Sequence, residues 1–464
     1  MVQSRFDSVA IIVCEEPERF YRMRPPIFSS ILVTSILVFQ TPSVIADDWP
    51  QWNGPQRTGV YSESATIRSI PEGGLKKLWS QPVHFGYSGP SVSSGRVYLT
   101  DYVKKSGEST NNPGTRDRLN GTERILCFDS KSGKPLWTHD YARDYAISYP
   151  AGPRATPTVD GDRVYTLGAE GDLICLSVAD GKVVWQRQLK ETYKTDSPIW
   201  GYSAAPLVVD DLLFTLAGGE GSLVVALDKF TGDERWRALS ATNIGYCPPS
   251  MIKAAGRDQL LIWSPENLNG LDPKTGAVLW TVPLEPKYEM SITPPVVSGN
   301  KLFVSGIGGV AGMFEIDKFK PGLKELWRGK SKHAMYCANS TPIFDGDYLY
   351  GTDCEKGFLV CVRASDGARL WETFQPTGGG DDRISHGTAF LSKVGDLYYL
   401  ISETGDFIIV RLTPEKYEEI GRAHILEPTN ECFGRAVVWS YPAYANRCLF
   451  ARNDKELVCY SIAE

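Results

Sequence analysis

The sequence predicts an all-β chain, an eight-bladed β-propeller of four-stranded antiparallel blades closed by pairing of its N- and C-terminal strands. Three observations predict it. A phrase ending in Trp recurs from Trp137 through Trp185, Trp236, Trp280 and Trp327 to Trp371, at intervals of 48, 51, 44, 47 and 44 residues. A second phrase, a short strand, a Gly or Asp turn and an alternating strand, occurs eight times. The composition, with 44 Gly, 30 Pro, 12 Trp and 22 Tyr in 464 residues, suits short strands and many turns. Repeats of roughly 40–50 residues with four strands each mark a propeller. They replace the roughly two or three domains that length alone suggests.

The elements follow in chain order. Residues 1–46 lie outside the fold: Met23-Arg24 precedes an apolar run from Ile27 to Phe39, and small residues lead to Asp47. A basic start and a run too short to span a bilayer predict a cleaved secretory signal. The mature chain then begins near 47 with no transmembrane segment, and the protein is expected in the periplasm or at the cell surface. Residues 47–464 form the propeller, interrupted by a polar loop insertion at 101–123.

Within each unit the strand openings ATP, AAP, TPP and STP (155–157, 204–206, 293–295, 340–342) suit short inner strands, where Pro is tolerated at the start. The hairpins CFDSKSGKPLW, CLSVADGKVVW, ALDKFTGDERW, GLDPKTGAVLW and CVRASDGARLW make the third and outer strands. Their Asp caps a tight turn and their Gly takes positive φ. Their Trp ends the outer strand, fills the wedge between neighbouring sheets and seeks a partner for its N–H. Trp79, in LKKLWS, begins the Trp series, and Ile420 continues it without the indole. The last strand, KELVCYSI, has no Trp strand after it and pairs with the segment carrying Lys76 to Ser80. Cys127, Cys175, Cys361 and Cys459 recur at one repeat position, as small buried residues.

The net charge of -6 is too mild to suggest a nucleic-acid surface or a polybasic membrane patch. No CxxC, haem site, P-loop or dinucleotide fingerprint is present in a suitable context.

At the AxDxxTGxxxW phrase the sequence resembles the pyrrolo-quinoline quinone (PQQ)-repeat propellers, and its opening DWPQWNGPQRTGV resembles the start of many secreted members. The resemblance covers nearly all of the mature chain. It implies one of two activities. Quinoprotein dehydrogenases of this fold hold PQQ and Ca²⁺ on the axis, whereas the propeller subunit of the outer-membrane assembly machinery binds protein partners and no quinone. Adjacent cysteines, a haem site and large capping insertions, common in the alcohol-oxidising relatives, are missing here. The expectation is therefore a binding or scaffold protein without a cofactor, taking a protein partner or a small ligand at the axial mouth.

One face of the ring collects His84, Tyr87, Arg154, Trp200, Tyr202, Tyr246, His333, Tyr336, Asn339, Arg383, His386 and Arg435, with the triplets Gly-Tyr-Ser/Cys at 86–88, 201–203 and 245–247. Most of these tyrosines are expected to wedge between inner strands. If the chain is instead a PQQ- and Ca²⁺-dependent oxidoreductase, the resemblance implies that Arg154, Arg383 or Arg435 pairs the quinone carboxylates. Trp200 then stacks on the quinone, and Glu266 with Asn267 supplies the metal. Glu170, Glu220, Glu266, Asp353 and Glu403 recur near the turn between second and third strands, as acids flanking exposed turns. A third reading, a hydrolase or lyase, rests on Asp381, Asp382 and His386 beside a Gly run.

Overall fold

The computed structural model describes residues 48–378 and 383–464. Eight antiparallel four-stranded blades form the ring, spanning 91–142, 158–188, 207–238, 250–283, 296–328, 343–373, 389–424 and 443–461. The eighth blade takes its outer strand, Lys77–Pro82, from the N-terminal side. This strand pairs with Glu456–Ser461 and sets Trp79 opposite Cys459. Closure in this way leaves no blade with an unpaired partial sheet. Among the described residues helix is confined to a five-residue turn, Leu189–Tyr193, and a three-residue 3-10 turn.

Blade 3 shows why the repeat folds as it does. Pro206 precedes a three-residue inner strand, Leu207–Val209, too short to crowd the axis. The strands Leu212–Leu216 and Val224–Asp228 carry Leu213, Phe214, Val225, Ala226 and Leu227, all almost fully buried between neighbouring blades. Asp228 caps its turn by accepting from the backbone N–H of Phe230 and Thr231. Gly232, at φ +75°, closes the turn against the Trp185 ring of the preceding blade. The repeat-position cysteines, Cys127, Cys175, Cys361 and Cys459, are all at most 1% exposed, as small residues between sheets should be.

The tryptophans join blade to blade. Trp79, Trp137, Trp185, Trp236, Trp327 and Trp371 each donate the indole N–H to a backbone carbonyl of the next blade, at 2.8–3.0 Å. Trp280 departs from this pattern and donates to Gln259 Oε1 of its own blade at 2.7 Å. The reason is Gly270, which stands where Cys, Ala, Met or Ile stands in the other copies: a Cβ there would overlap the Trp280 ring.

Two segments outside the repeat shape the axis. Residues 101–123, expected as a polar loop, are mostly strand. The hairpin strands run from Arg96 to Gly107 and from Asp117 to Asp129, leaving only 108–116 as loop. Tyr102 is the cause: its ring stacks on Tyr145 at 4.0 Å, and Gly121 gives it room, so the extended strands are buried along part of their length. The tip of this hairpin is pinned toward the mouth, because Asn111 Nδ2 donates to Glu431 O and Arg116 donates to Ala146 O and Ser197 O.

The second segment is the N-terminal stretch 48–61. Trp49 exchanges backbone hydrogen bonds with Val92, and Pro50 O accepts from Val159 N. Arg57 donates to the carbonyls of Ala205, Pro206 and Pro249. Gly59 and Tyr61 bond Lys393. These partners belong to blades 1, 2, 3, 4 and 7, so the segment crosses the axis at the end remote from the mouth. The DWPQWNGPQRTG motif thus forms an axial plug.

Candidate functional site

With its far end plugged, the axial channel becomes a cup of about 790 Å³ that opens on the face predicted from the sequence. Volume in this range suits a small molecule rather than a bare ion. Its floor includes Trp52, from the plug, edge-on to Tyr441 at 5.4 Å. Ten Trp, Tyr and Phe rings line the cup, among them Tyr87, Tyr149, Trp200, Tyr246, Phe433 and Trp439. Among the described residues the lining contains no carboxylate and one full charge, Arg154.

Arg154 sits in the run that leads into the inner strand of blade 2. Its guanidinium lies over the Tyr87 ring at 5.0 Å and donates to the carbonyls of Gly152, Ser148 and Tyr149 at 2.6–3.0 Å. Burial lowers its pKa from the usual arginine range. Below the floor Arg57 is a second cation held by carbonyls alone, pushed down to about 9 by burial.

His386 also lines the cup. Its ring stacks on Phe433 at 4.9 Å and 4°, and burial, then the charge of Arg435, lowers its pKa. The imidazole is accordingly neutral at pH 7. Asp381 and Asp382, the other members of that predicted cluster, lie outside the described residues.

The remaining candidates are placed elsewhere. Arg435 is chelated by Glu403 at 2.8 and 3.1 Å, and Trp439 Nε1 donates to the same carboxylate at 3.0 Å. Arg383 is exposed and donates to Glu355 O. Glu266 accepts from Thr242 N, Thr242 Oγ1 and Ser264 Oγ, while Asn267 N–H donates to Ser264 Oγ. Neither Glu266 nor Asn267 lines the cup. Among the described residues no group of three His, Cys, Asp or Glu is placed to hold a metal ion.

Several of the acids near the second-to-third-strand turns are not the exposed residues expected. Glu170, Asp353 and Glu403 are buried and paired with Lys190, Arg369 and Arg435 at 2.5–2.8 Å. They fix loops rather than charge the mouth. The tyrosine triplets divide: Tyr87 and Tyr246 line the cup, whereas Tyr202 and Tyr336 are buried and donate to Ala217 O and Lys330 O. His84, His333 and these two tyrosines lie outside the lining.

Sequence reasoning missed Trp52, Tyr149, Phe433 and Tyr441. Tyr149 and Phe433 lie at positive φ, 47° and 50°, in turns that no repeat aligns. Trp52 carried a signal in the DWPQWNGP motif, but only the crossing of the axis gives that motif a place.

Fold and site together define a repeat propeller of the PQQ-like class with a blind, aromatic axial cup. The family described as outer membrane protein assembly factor BamB matches residues 121–373, more than half of the chain, and the chain belongs to this family. The outer membrane protein assembly factor BamB of Alkalilimnicola ehrlichii is 27% identical over 211 residues, 45% of this chain and 51% of that protein. A quinohemoprotein alcohol dehydrogenase, ADH IIB of Pseudomonas putida, is 28% identical over 145 residues, 28% of this chain and 20% of that protein. The chain spans about half the length, or less, of these curated relatives. Among solved structures, BamB from Moraxella catarrhalis is similar with a TM-score of 0.54 and 16% identity, covering 83% of this chain and 97% of that one. Quinohemoprotein alcohol dehydrogenase from Comamonas testosteroni is similar with a TM-score of 0.55 and 12% identity, covering 90% and 80%. At these identities the likeness is one of fold.

Proposed function

We propose that this protein is an exported, non-catalytic binding propeller of the periplasm or cell surface, scaffolding a protein partner and taking a small ligand in its axial cup. One observation carries the ligand half: a cup closed at one end and lined by aromatic rings has the makeup of a binding pocket, and among the described residues its wall holds no carboxylate and no paired acid and base. The scaffold half draws on relatives that are named as assembly factors of outer membrane proteins.

Export is tested by N-terminal sequencing of protein recovered from the producing cell. A start at Asp47 is expected, and a retained Met1 or Met23 refutes it. Binding is tested by native mass spectrometry of the gently purified mature chain. A small-molecule adduct lost in Trp200→Ala and Trp439→Ala supports the cup, and an adduct unaffected by both variants places the ligand elsewhere.

The quinoprotein oxidoreductase is the second reading, favoured by Arg154 and Trp200 both facing the cup. The other residues do not fit PQQ with Ca²⁺: Arg383 and Arg435 are engaged outside the lining, and Glu266 with Asn267 is not beside it. Quinone absorbance retained through gel filtration after incubation with PQQ and Ca²⁺, with dye reduction by alcohols, would establish it. For the hydrolase or lyase reading, His386 faces a phenyl ring and no described carboxylate accepts from it.

A further inference from the structure

We infer that the cup takes a singly charged anion carried on a flat apolar body, an aromatic monocarboxylate by class, with the charged end on Arg154. The inference rests on the small-ligand half of the reading above and names its chemistry.

The charge argument comes first. A buried guanidinium ordinarily has an acid beside it, and Arg435, another arginine of this face, has Glu403 on two oxygens. Arg154 has none among the described residues: its partners are three carbonyls and the face of Tyr87. Arg57, beneath the floor, is likewise held only by carbonyls. One desolvated cation in the wall and one beneath the floor thus have no counter-charge among the described residues, and the described wall holds no carboxylate, so the potential inside favours an anion.

Unspent hydrogen-bond donors supply an independent argument. Tyr149 is 8% exposed and Tyr246 5%, and among the described residues neither hydroxyl has a hydrogen-bond partner, nor does Asn339 Nδ2. All three residues line the cup. Buried donors are rarely left idle in a finished structure. Every idle group here can donate, matching the acceptor-only oxygens of a carboxylate.

The body of the ligand follows from the walls. Trp200 and Tyr246 stand with ring centroids 5.5 Å apart, and Trp52 with Tyr441 forms the floor. These surfaces receive a flat ring by stacking. A second negative group on the ligand would be buried against them unpaired, which sets a limit of one charge.

The test uses the mature chain and three probes of one shape: 2-naphthoate, neutral 2-naphthalenemethanol, and naphthalene-2,6-dicarboxylate. Affinity is read by tryptophan fluorescence and checked by calorimetry. Naphthoate is expected to bind roughly tenfold or more tighter than either analogue, the range of a charge-assisted hydrogen bond. Arg154→Gln should remove that preference and leave the neutral probe unchanged, and Arg154→Lys should keep part of it. Because Arg154 also ties three carbonyls, Tyr246→Phe provides the second arm. It should weaken naphthoate several-fold without lowering the thermal midpoint of the free protein, since the lost hydroxyl has no protein acceptor. Equal affinity for the neutral probe overturns the anion inference while leaving the ligand cup intact. Tighter binding of the dicarboxylate, or of PQQ with Ca²⁺, also overturns it. If none of the probes binds at millimolar concentration, the inference and the small-ligand half fall together, and the protein-partner half stands.

Discussion

Replacing Glu123 by Gln should remove one pH-dependent part of the stability. Glu123 lies in the third strand of blade 1, is 2% exposed, and accepts from the hydroxyls of Tyr141 and Tyr145 and from Ala169 N at 3.0 Å. Burial, and then the charge of Asp172, raises its pKa from 4.5 to about 7 against the pull of those three donors. The folded protein therefore holds this proton up to about pH 7, while the unfolded chain releases it near 4.5. Between those values the native state binds more protons, so stability is greatest below 4.5 and is lost as pH rises through 7. At about 1.4 kcal/mol per pH unit the loss is roughly 3 kcal/mol. Gln stays neutral and keeps a carbonyl oxygen for Tyr145 and Ala169. At pH 8 the Glu123→Gln protein should thus be the more stable by up to about 3 kcal/mol, less whatever the altered Tyr141 contact costs. At pH 4.5 the two should differ little. Denaturant midpoints of both proteins at the two pH values check this, the difference between them cancelling groups that titrate in common. A difference that does not change with pH refutes the assignment of a buried, protonated Glu123.

Three further perturbations probe the ring and its plug. Gly232→Ala places a Cβ 2.7 Å from the Trp185 ring at φ +75°, so the blade 2–blade 3 joint should weaken by about 1–3 kcal/mol in denaturant titration. A neutral result there would mean that the Trp contact does not hold the blades. Gln259→Leu strands the Trp280 N–H that the other blades satisfy on a neighbour, at an expected cost of about 1–3 kcal/mol; recovery by Gly270→Ala, which would push the indole outward, is checked in the double variant. Arg57→Leu removes the donor that ties the plug to Ala205, Pro206 and Pro249, and should speed hydrogen exchange at Trp49 to Tyr61 before any other region.

The architecture was legible because each blade is built from nearly local rules. A Pro, a short apolar strand, an Asp and Gly turn and a Trp repeat with a period that only a closed ring accommodates, and the Lys77–Pro82 strand completes blade 8 where the unpaired last strand required it. Departures from the rule were not legible. That Gly270 turns Trp280 inward, or that Tyr102 and Tyr145 stack and convert the 101–123 insertion into a hairpin, depends on which atoms meet across strands far apart in sequence. The site divides along the same line. Arg154, Trp200, Tyr87 and Tyr246 fall on the expected face because the repeat places their loops there. Arg435 and Glu403 carry the same kinds of residue, yet they neutralise each other, and only their 2.8 Å separation distinguishes a structural pair from a free charge.

The sequence by itself therefore determined the number of blades, their closure and the face on which the mouth opens, since periodicity and turn chemistry act over a few residues. Tertiary structure alone decided that the DWPQWNGPQRTG segment crosses the axis and makes the channel blind, and that Arg154 faces the cup with no acid among the described residues. The first depends on contacts between residues a hundred or more positions apart, and the second on which charges the folded ring brings together.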